Sequence, residues 1–174
     1  DEVGYIPLDV NDYCVGTGFD GMYIWVTAGD QMTGTCEFYL FDEYGNQIDN
    51  APQGAGATGW GHRDMAFTGD YMFGSYSTLV DGYSDIYTFD GYFMGAPISP
   101  NRALGYAAGS FYTSGFGEPL YKLTWDGTFG SSAVVENLGG PWDAAYGLAY
   151  DCGWDCLWMT TASSAGYGVH QIAL

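Results

Sequence analysis

The stretch RDMAFTGDYMFGS, residues 63–75, holds a small residue and an aromatic (Ala66, Phe67), a Thr-Gly-Asp turn, and an apolar-aromatic pair closing on Ser75. Short apolar runs on either side of a glycine turn indicate a strand hairpin. The stretch decides the fold because it recurs. VGTGFDGMYIWVT (15–27), RALGYAAGSFYTS (102–114) and YGLAYDCGWDCLWMT (146–160) follow the same plan, with Phe19, Phe67, Tyr106 and Tyr150 as the first aromatics, separated by 48, 39 and 44 residues. Self-similarity at such a period marks a repeat architecture.

A third element follows each hairpin: CEFYLFD (36–42), SDIYTFD (84–90), EPLYKLTWDG (118–127) and YGVHQIAL (167–174), with Tyr39, Tyr87, Tyr121 and His170 in register. Three copies continue into a fourth element, GNQIDNAP, YFMGAPIS and GTFGSSAVVENL, and the last copy has none before Leu174. GYIPLDV (4–10), carrying Tyr5, Ile6, Leu8 and Val10, has the character of that missing strand and precedes the first copy as the fourth elements precede the later ones. Four strands per unit of about 40–48 residues is the pattern of β-propeller blades. The expectation is an all-β, propeller-like single domain with blades near 11–58, 59–98, 99–140 and 141–174. Strand 4–10, from the same or a neighbouring chain, completes the last blade.

Composition agrees with this reading. Aromatics at 18% and 28 glycines suit strands and their turns, and no stretch carries a helical period. The formal net charge of −18 repels phosphate backbones and anionic headgroups, which argues against nucleic-acid binding and membrane insertion. No apolar run approaches the roughly 20 residues of a membrane helix, and no leader precedes Asp1, so the chain reads as mature or trimmed.

The runs RDMAFTGDYMFGS…DIYTFDG, RALGYA…LYKLTWDG and YGLAYD…LWMTT…VHQI resemble repeat propellers of secreted bacterial surface proteins, in which units of the form RDLAYDGTYLYGS and GLAWDG-LWV-HQID recur. The resemblance covers nearly the whole chain and implies architecture and a secreted, extracellular or cell-surface location. It implies no chemistry.

Four cysteines form an even set suited to an oxidising compartment. Cys152 and Cys156 flank the hairpin turn of the last repeat, a spacing open to a metal knuckle, a redox pair or a stapled turn. The stapled turn is favoured, because a zinc site wants four ligands and the spacing is CxxxC. Cys14 opens the first strand and Cys36 the third strand of the first repeat, at the same end of the blade, which points to a second disulfide.

Arg63 and Arg102 each stand four positions before a first aromatic, at the start of consecutive inner strands and near one mouth of the central channel. They suit a grip on a ligand carboxylate or sulfate; alternatively each ties its blade to a carboxylate such as Asp64 or Asp143. Trp60, Trp142 and Trp154 lie in connectors or turns and are the better ligand-stacking candidates, whereas Trp25 and Trp158 hold equivalent second-strand positions that suggest packing. His62 reads as a hydrogen-bonding loop residue and His170 as a packing residue.

Many Asp residues stand beside Gly or Asn, as at Asp20-Gly21, Asp81-Gly82, Asp90-Gly91 and Asp126-Gly127, which reads as hairpin-turn chemistry. DEYGNQIDN (42–50) and DGYSD (81–85) hold a weak calcium possibility without matching the calcium-loop pattern, so no cofactor is expected. No Ser-His-Asp arrangement or nucleophile elbow is legible. The expected function is non-enzymatic: an extracellular structural protein assembling into homo-oligomers or polymers by strand addition. A glycan- or peptide-binding module is the alternative, and a hydrolase or lyase the least favoured.

Overall fold

The computed structural model describes residues 13–174 apart from 31, 33, 55, 56, 58, 96, 98–100, 141–143, 164 and 165. Fifteen strands occur among them, in four antiparallel sheets. The first sheet is β1 (Tyr13–Phe19), β2 (Ile24–Gly29), β3 (Cys36–Phe41) and β4 (Gln47–Pro52). The second is β5 (Met65–Phe67), β6 (Met72–Tyr76), β7 (Leu79–Asp85) and β8 (Thr88–Met94). The third is β9 (Ala103–Ala107), β10 (Ser110–Ser114), β11 (Leu120–Thr124) and β12 (Val134–Gly139). The fourth is β13 (Ala145–Asp151), β14 (Cys156–Ser163) and β15 (Gly166–Ala173).

Each sheet is a meander in chain order, and the first strands β1, β5, β9 and β13 face one another around a central channel. The molecule is a four-bladed β-propeller. Phe19, Phe67, Tyr106 and Tyr150 each pair with the first or second residue of the next strand, namely Ile24, Met72, Phe111 and Leu157. The repeat is therefore a repeat of ladder rungs as well as of letters.

Two rungs further on, Tyr39 lies opposite Val26, Tyr121 opposite Thr113 and His170 opposite Met159, as their alignment implies. Blade two departs from the expectation. Its rung is filled by Asp81 opposite Gly74, and Tyr87 sits in the β7–β8 turn. The cause is a β6–β7 connection of only Ser77 and Thr78, with Ser77 at φ 55°, so the third strand starts well before SDIYTFD. Asp85 then closes the next turn by accepting the amides of Tyr87 (2.7 Å) and Thr88 (2.8 Å).

The blades bury their faces against each other. Phe73, Val80, Phe93, Leu104, Phe111 and Leu123 fill the space between blades two and three. Tyr112, Leu120, Leu148, Leu157 and Met159 do so between three and four. Trp25, Phe38, Met65, Met72 and Tyr83 join blades one and two. Each buried large apolar side chain contributes about 1.5–3 kcal/mol relative to exposure, which is what holds four small sheets in one ring.

No disulfide joins the four cysteines, and register explains both departures from expectation. Cys14 pairs across from Ala28 and Cys36 from Gly29, on opposite sides of β2. Two strand spacings of about 4.8 Å separate them, beyond the roughly 7 Å limit for a disulfide. In blade four it is Asp151, not Cys152, that stands opposite Cys156. Cys152 is exposed in the turn, while Cys156 is buried and its Sγ accepts from Gln171 Nε2 at 3.5 Å. Tyr5, Ile6, Leu8 and Val10, the expected completing strand, lie outside the described residues; among those described, β15 pairs only with β14.

Candidate ligand-binding mouth

The residue four places before each first aromatic is Val15, Arg63, Arg102 or Tyr146. These four positions, one per blade, converge at the end of the channel where the inner strands begin, and with Cys14 and Trp60 they line a cavity of about 280 Å³. The convergence follows from the fold, since equivalent rungs of four blades must meet at the axis.

Backbone pairing positions both cationic side chains. The Arg63 amide donates to the Ser75 carbonyl (3.4 Å) and the Arg102 amide to the Ser114 carbonyl (3.1 Å), so each is held on its own blade's second strand. Blade one approaches closely: a Cβ on Gly16 would lie 2.6 Å from the Arg63 carbonyl oxygen, so only glycine fits there. The Arg102 Cζ stands 3.6 Å from the Phe116 ring centroid and 6.0 Å from that of Tyr146, and the Arg63 Cζ 5.9 Å from that of Trp60. Tyr13 meets Trp60 edge-on at 5.4 Å, which steadies that ring.

The expected alternative, arginines tied to carboxylates, is not what the described residues show. Asp64 turns away into the channel. Its Oδ2 accepts the amides of Leu104 and Leu148, both at 2.8 Å, and its Oδ1 accepts that of Met65 at 3.0 Å. It thus joins blades two, three and four. Burial pushes its carboxyl up to about 8 against the pull of those donors. Asp143 lies outside the described residues. Neither Arg63 nor Arg102 makes an ion pair among the described residues, and the Arg102 Nε is buried without a hydrogen-bond acceptor. Burial first, then the Arg102 charge, push Arg63 down to about 10. Two like charges face the same small space.

Beyond Asp64 the channel widens toward the hairpin ends into a space of about 640 Å³ walled by Phe19, Ile24, Phe67, Tyr150 and Trp158. Trp154 lies at that end, 72% exposed in the β13–β14 turn and apart from the arginines. Of the ligand candidates expected from the sequence, the structure brings Arg63, Arg102 and Trp60 to one cavity and places Trp154 apart from them; Trp142 lies outside the described residues. Sequence reasoning did not foresee that separation. It missed Tyr146 and Phe116. Tyr146 was available from the same four-residue offset that picked out the arginines, whereas Phe116 reaches the site from the connector after β10 and leaves no repeat signal.

The remaining candidates have structural partners. His62 is fully buried, stacked on Phe38 at 5.7 Å, with Nε2 2.8 Å from the Tyr83 hydroxyl and Nδ1 3.3 Å from the Ser75 carbonyl. Burial pushes it down to about 4, so the ring is neutral at pH 7. His170 Nε2 lies 2.8 Å from Thr161 Oγ1. The Asp42 carboxylate accepts the amides of Tyr44 and Asn46 and the Asn46 side chain, which is turn capping. No group of three His, Cys, Asp or Glu placed to hold a metal occurs among the described residues.

No protein-family model and no curated protein matches the chain. Among solved structures, the fold is similar to that of U3-55K, with a TM-score of 0.63 and 15% identity over 94% of this chain and 50% of that one. Myxococcus xanthus glutaminyl cyclase gives 0.61 and 14% over 93% and 75%. PorZ, an essential bacterial surface component of the type-IX secretion system of Porphyromonas gingivalis, gives 0.61 and 13% over 97% and 26%. The chain spans about half the length of U3-55K. Likeness at these identities shows the propeller fold alone.

Proposed function

We propose that the protein is a non-catalytic binding propeller that grips an anionic group, the carboxylate or sulfate of a glycan or acidic peptide, between Arg63 and Arg102. The observation that carries this reading is the pair of converging guanidinium groups with no carboxylate partner among the described residues, one with an orphaned Nε–H. An anion placed there relieves the mutual repulsion and accepts charge-assisted hydrogen bonds worth about 1.5–3 kcal/mol each. Trp60 and Tyr146 offer flat surfaces for the rest of the ligand. Among the described residues the mouth is lined by no histidine or carboxylate, and its two guanidinium groups suit holding an anion. An extracellular or cell-surface location is part of the proposal, supported by the acidic composition and by likeness of fold to a bacterial surface component.

Calorimetric titration with oligogalacturonate and with its neutral methyl ester tests the proposal. Binding of the acid alone, weakened about tenfold or more in Arg102→Ala and in Arg63→Ala, supports it. Equal binding of acid and ester, or variants that bind as the parent does, overturns it.

A second reading, self-association by strand addition, is favoured by the β15 edge, which carries no ladder on its outer side among the described residues. An open edge is a template for another strand, and segment 4–10 is the proposed occupant, from the same or a neighbouring chain. Oligomers that grow with concentration in light scattering and vanish when residues 1–12 are deleted support assembly; a monomer at every concentration rejects it.

A further inference from the structure

The hairpin end of the propeller differs in charge from the arginine mouth. The β1–β2, β5–β6 and β13–β14 turns and the turns between third and fourth strands all face that way, and they carry acids. Between blades two and three this end holds a cleft of about 420 Å³ whose walls include the rings of Tyr71, Tyr106 and Trp125 and the carboxylates of Asp70 and Asp126. None of the three cationic residues of the chain lines it.

The rings are fixed in place. Tyr71 stands perpendicular to Phe129 at 5.4 Å, Tyr106 packs on Phe111 at 4.9 Å, and Trp125 stacks on Phe93 at 5.3 Å and 16°. The Trp125 Nε1 donates to the Thr128 carbonyl, so its polar edge is satisfied and its remaining surface is apolar. The Asp126 Oδ1 accepts the Thr128 amide (2.8 Å) and the Ser131 hydroxyl (3.1 Å), which orients the carboxylate and holds it ionised, below the usual carboxylate range. Asp70 is exposed at the rim.

We infer that this cleft binds an organic cation, an alkylammonium or guanidinium group such as the head of a lysine, arginine or choline-like ligand. Ring faces placed beside carboxylates attract a poorly hydrated cation by quadrupole and charge together. The rings lose no freedom on binding because core contacts already hold them. The whole-chain charge of −18 raises the local concentration of cations at this end. The cleft offers acceptors and π surfaces but no charged donor, which selects a cation over an anion.

The experiment is a nuclear magnetic resonance titration of the full chain with tetramethylammonium chloride, with sodium chloride exchanged out to keep ionic strength constant. Saturable shifts of the Gly109 and Gly127 amides are expected, with affinity lowered about threefold to tenfold in Asp70→Asn and in Tyr106→Leu. Asp70 is exposed and its carboxylate makes none of the described side-chain hydrogen bonds, so its variant keeps the fold. Non-saturable shifts, or an unchanged affinity in Asp70→Asn, overturn the inference. Cellobiose saturating the same signals where tetramethylammonium does not also overturns it, and makes the cleft a neutral-sugar site.

Discussion

Asp81 occupies the rung that other blades give to Tyr39, Tyr121 and His170, and both its oxygens are buried without a hydrogen-bond partner. Its Oδ2 is 3.7 Å from His62 Nε2, whose close contact is the Tyr83 hydroxyl. Burial pushes the Asp81 carboxyl up to about 7 from 3.8. Between those values the folded chain holds a proton that the unfolded chain has lost. Its stabilising contribution is therefore complete below about pH 4 and lost as pH rises through about 7. At 1.36 kcal/mol per pKa unit the full effect is on the order of 4 kcal/mol. Asp64, pushed up to about 8, acts in the same direction. His62, pushed down to about 4 from 6.5, acts oppositely, costing stability as pH falls through that range. Chemical denaturation of the parent and of Asp81→Asn at pH 5 and pH 8 is expected to show a smaller alkaline loss in the variant, by about 2–3 kcal/mol; parallel losses would exclude this role for Asp81. None of this is legible in DGYSD, which reads as a turn or a loose oxygen cluster. The acid becomes buried because the two-residue Ser77-Thr78 turn shifts the strand, and sequence spacing does not reveal a tight turn that lacks glycine.

At the level of the strand and its turn, Asp20 and Asp151 do equivalent work in blades one and four. Asp20 Oδ1 accepts the amides of Met22 (2.8 Å) and Tyr23 (2.7 Å), and its Oδ2 accepts the Trp25 indole N–H at 2.8 Å. Asp151 repeats the pattern with Gly153, Trp154 and the Trp158 indole. One carboxylate thus closes the hairpin and satisfies the polar edge of a packed indole on the strand that follows the turn. Replacing Asp20 by Ala leaves a largely buried indole N–H without an acceptor, and the expected cost is about 2–3 kcal/mol. Asp70→Ala, in the corresponding blade-two turn where Tyr71 is capped by Thr68, is expected to stay within about 0.5 kcal/mol. Equal midpoints of thermal unfolding for the two variants would contradict this assignment. The turn role of Asp20-Gly21 and Asp126-Gly127 was visible in the sequence, as was the packing role of Trp25 and Trp158, which repeat alignment places on one rung, whereas Asp81-Gly82 and Asp90-Gly91, also expected as turns, lie inside β7 and β8. The cysteine pairing was not. Placing Cys14 and Cys36 at the same blade end was correct, but pairing them ignored the width of the strand between them.

For the molecule as a whole, the repeat was readable because every blade must present the same rung to the axis, which fixes Phe19, Phe67, Tyr106 and Tyr150 in one register. The same geometry concentrates Arg63 and Arg102 at one mouth while acidic turns gather at the other end. Individual contacts that cross blades, such as Asp64 to Leu104 and Leu148, depend on which copy carries a special residue, and a repeat pattern averages such differences away. Those two bonds also set an order of events under mild destabilisation. Asp64 accepts amide hydrogen bonds from blades three and four and from its own, yet none from blade one among the described residues. Sub-global opening should then release blade one before the other three separate. In deuterium exchange the Leu104 and Leu148 amides are expected to be among the last to exchange, with β1 and β2 labelling through a cheaper opening; β1 amides protected as long as Leu104 would show that the ring comes apart all at once.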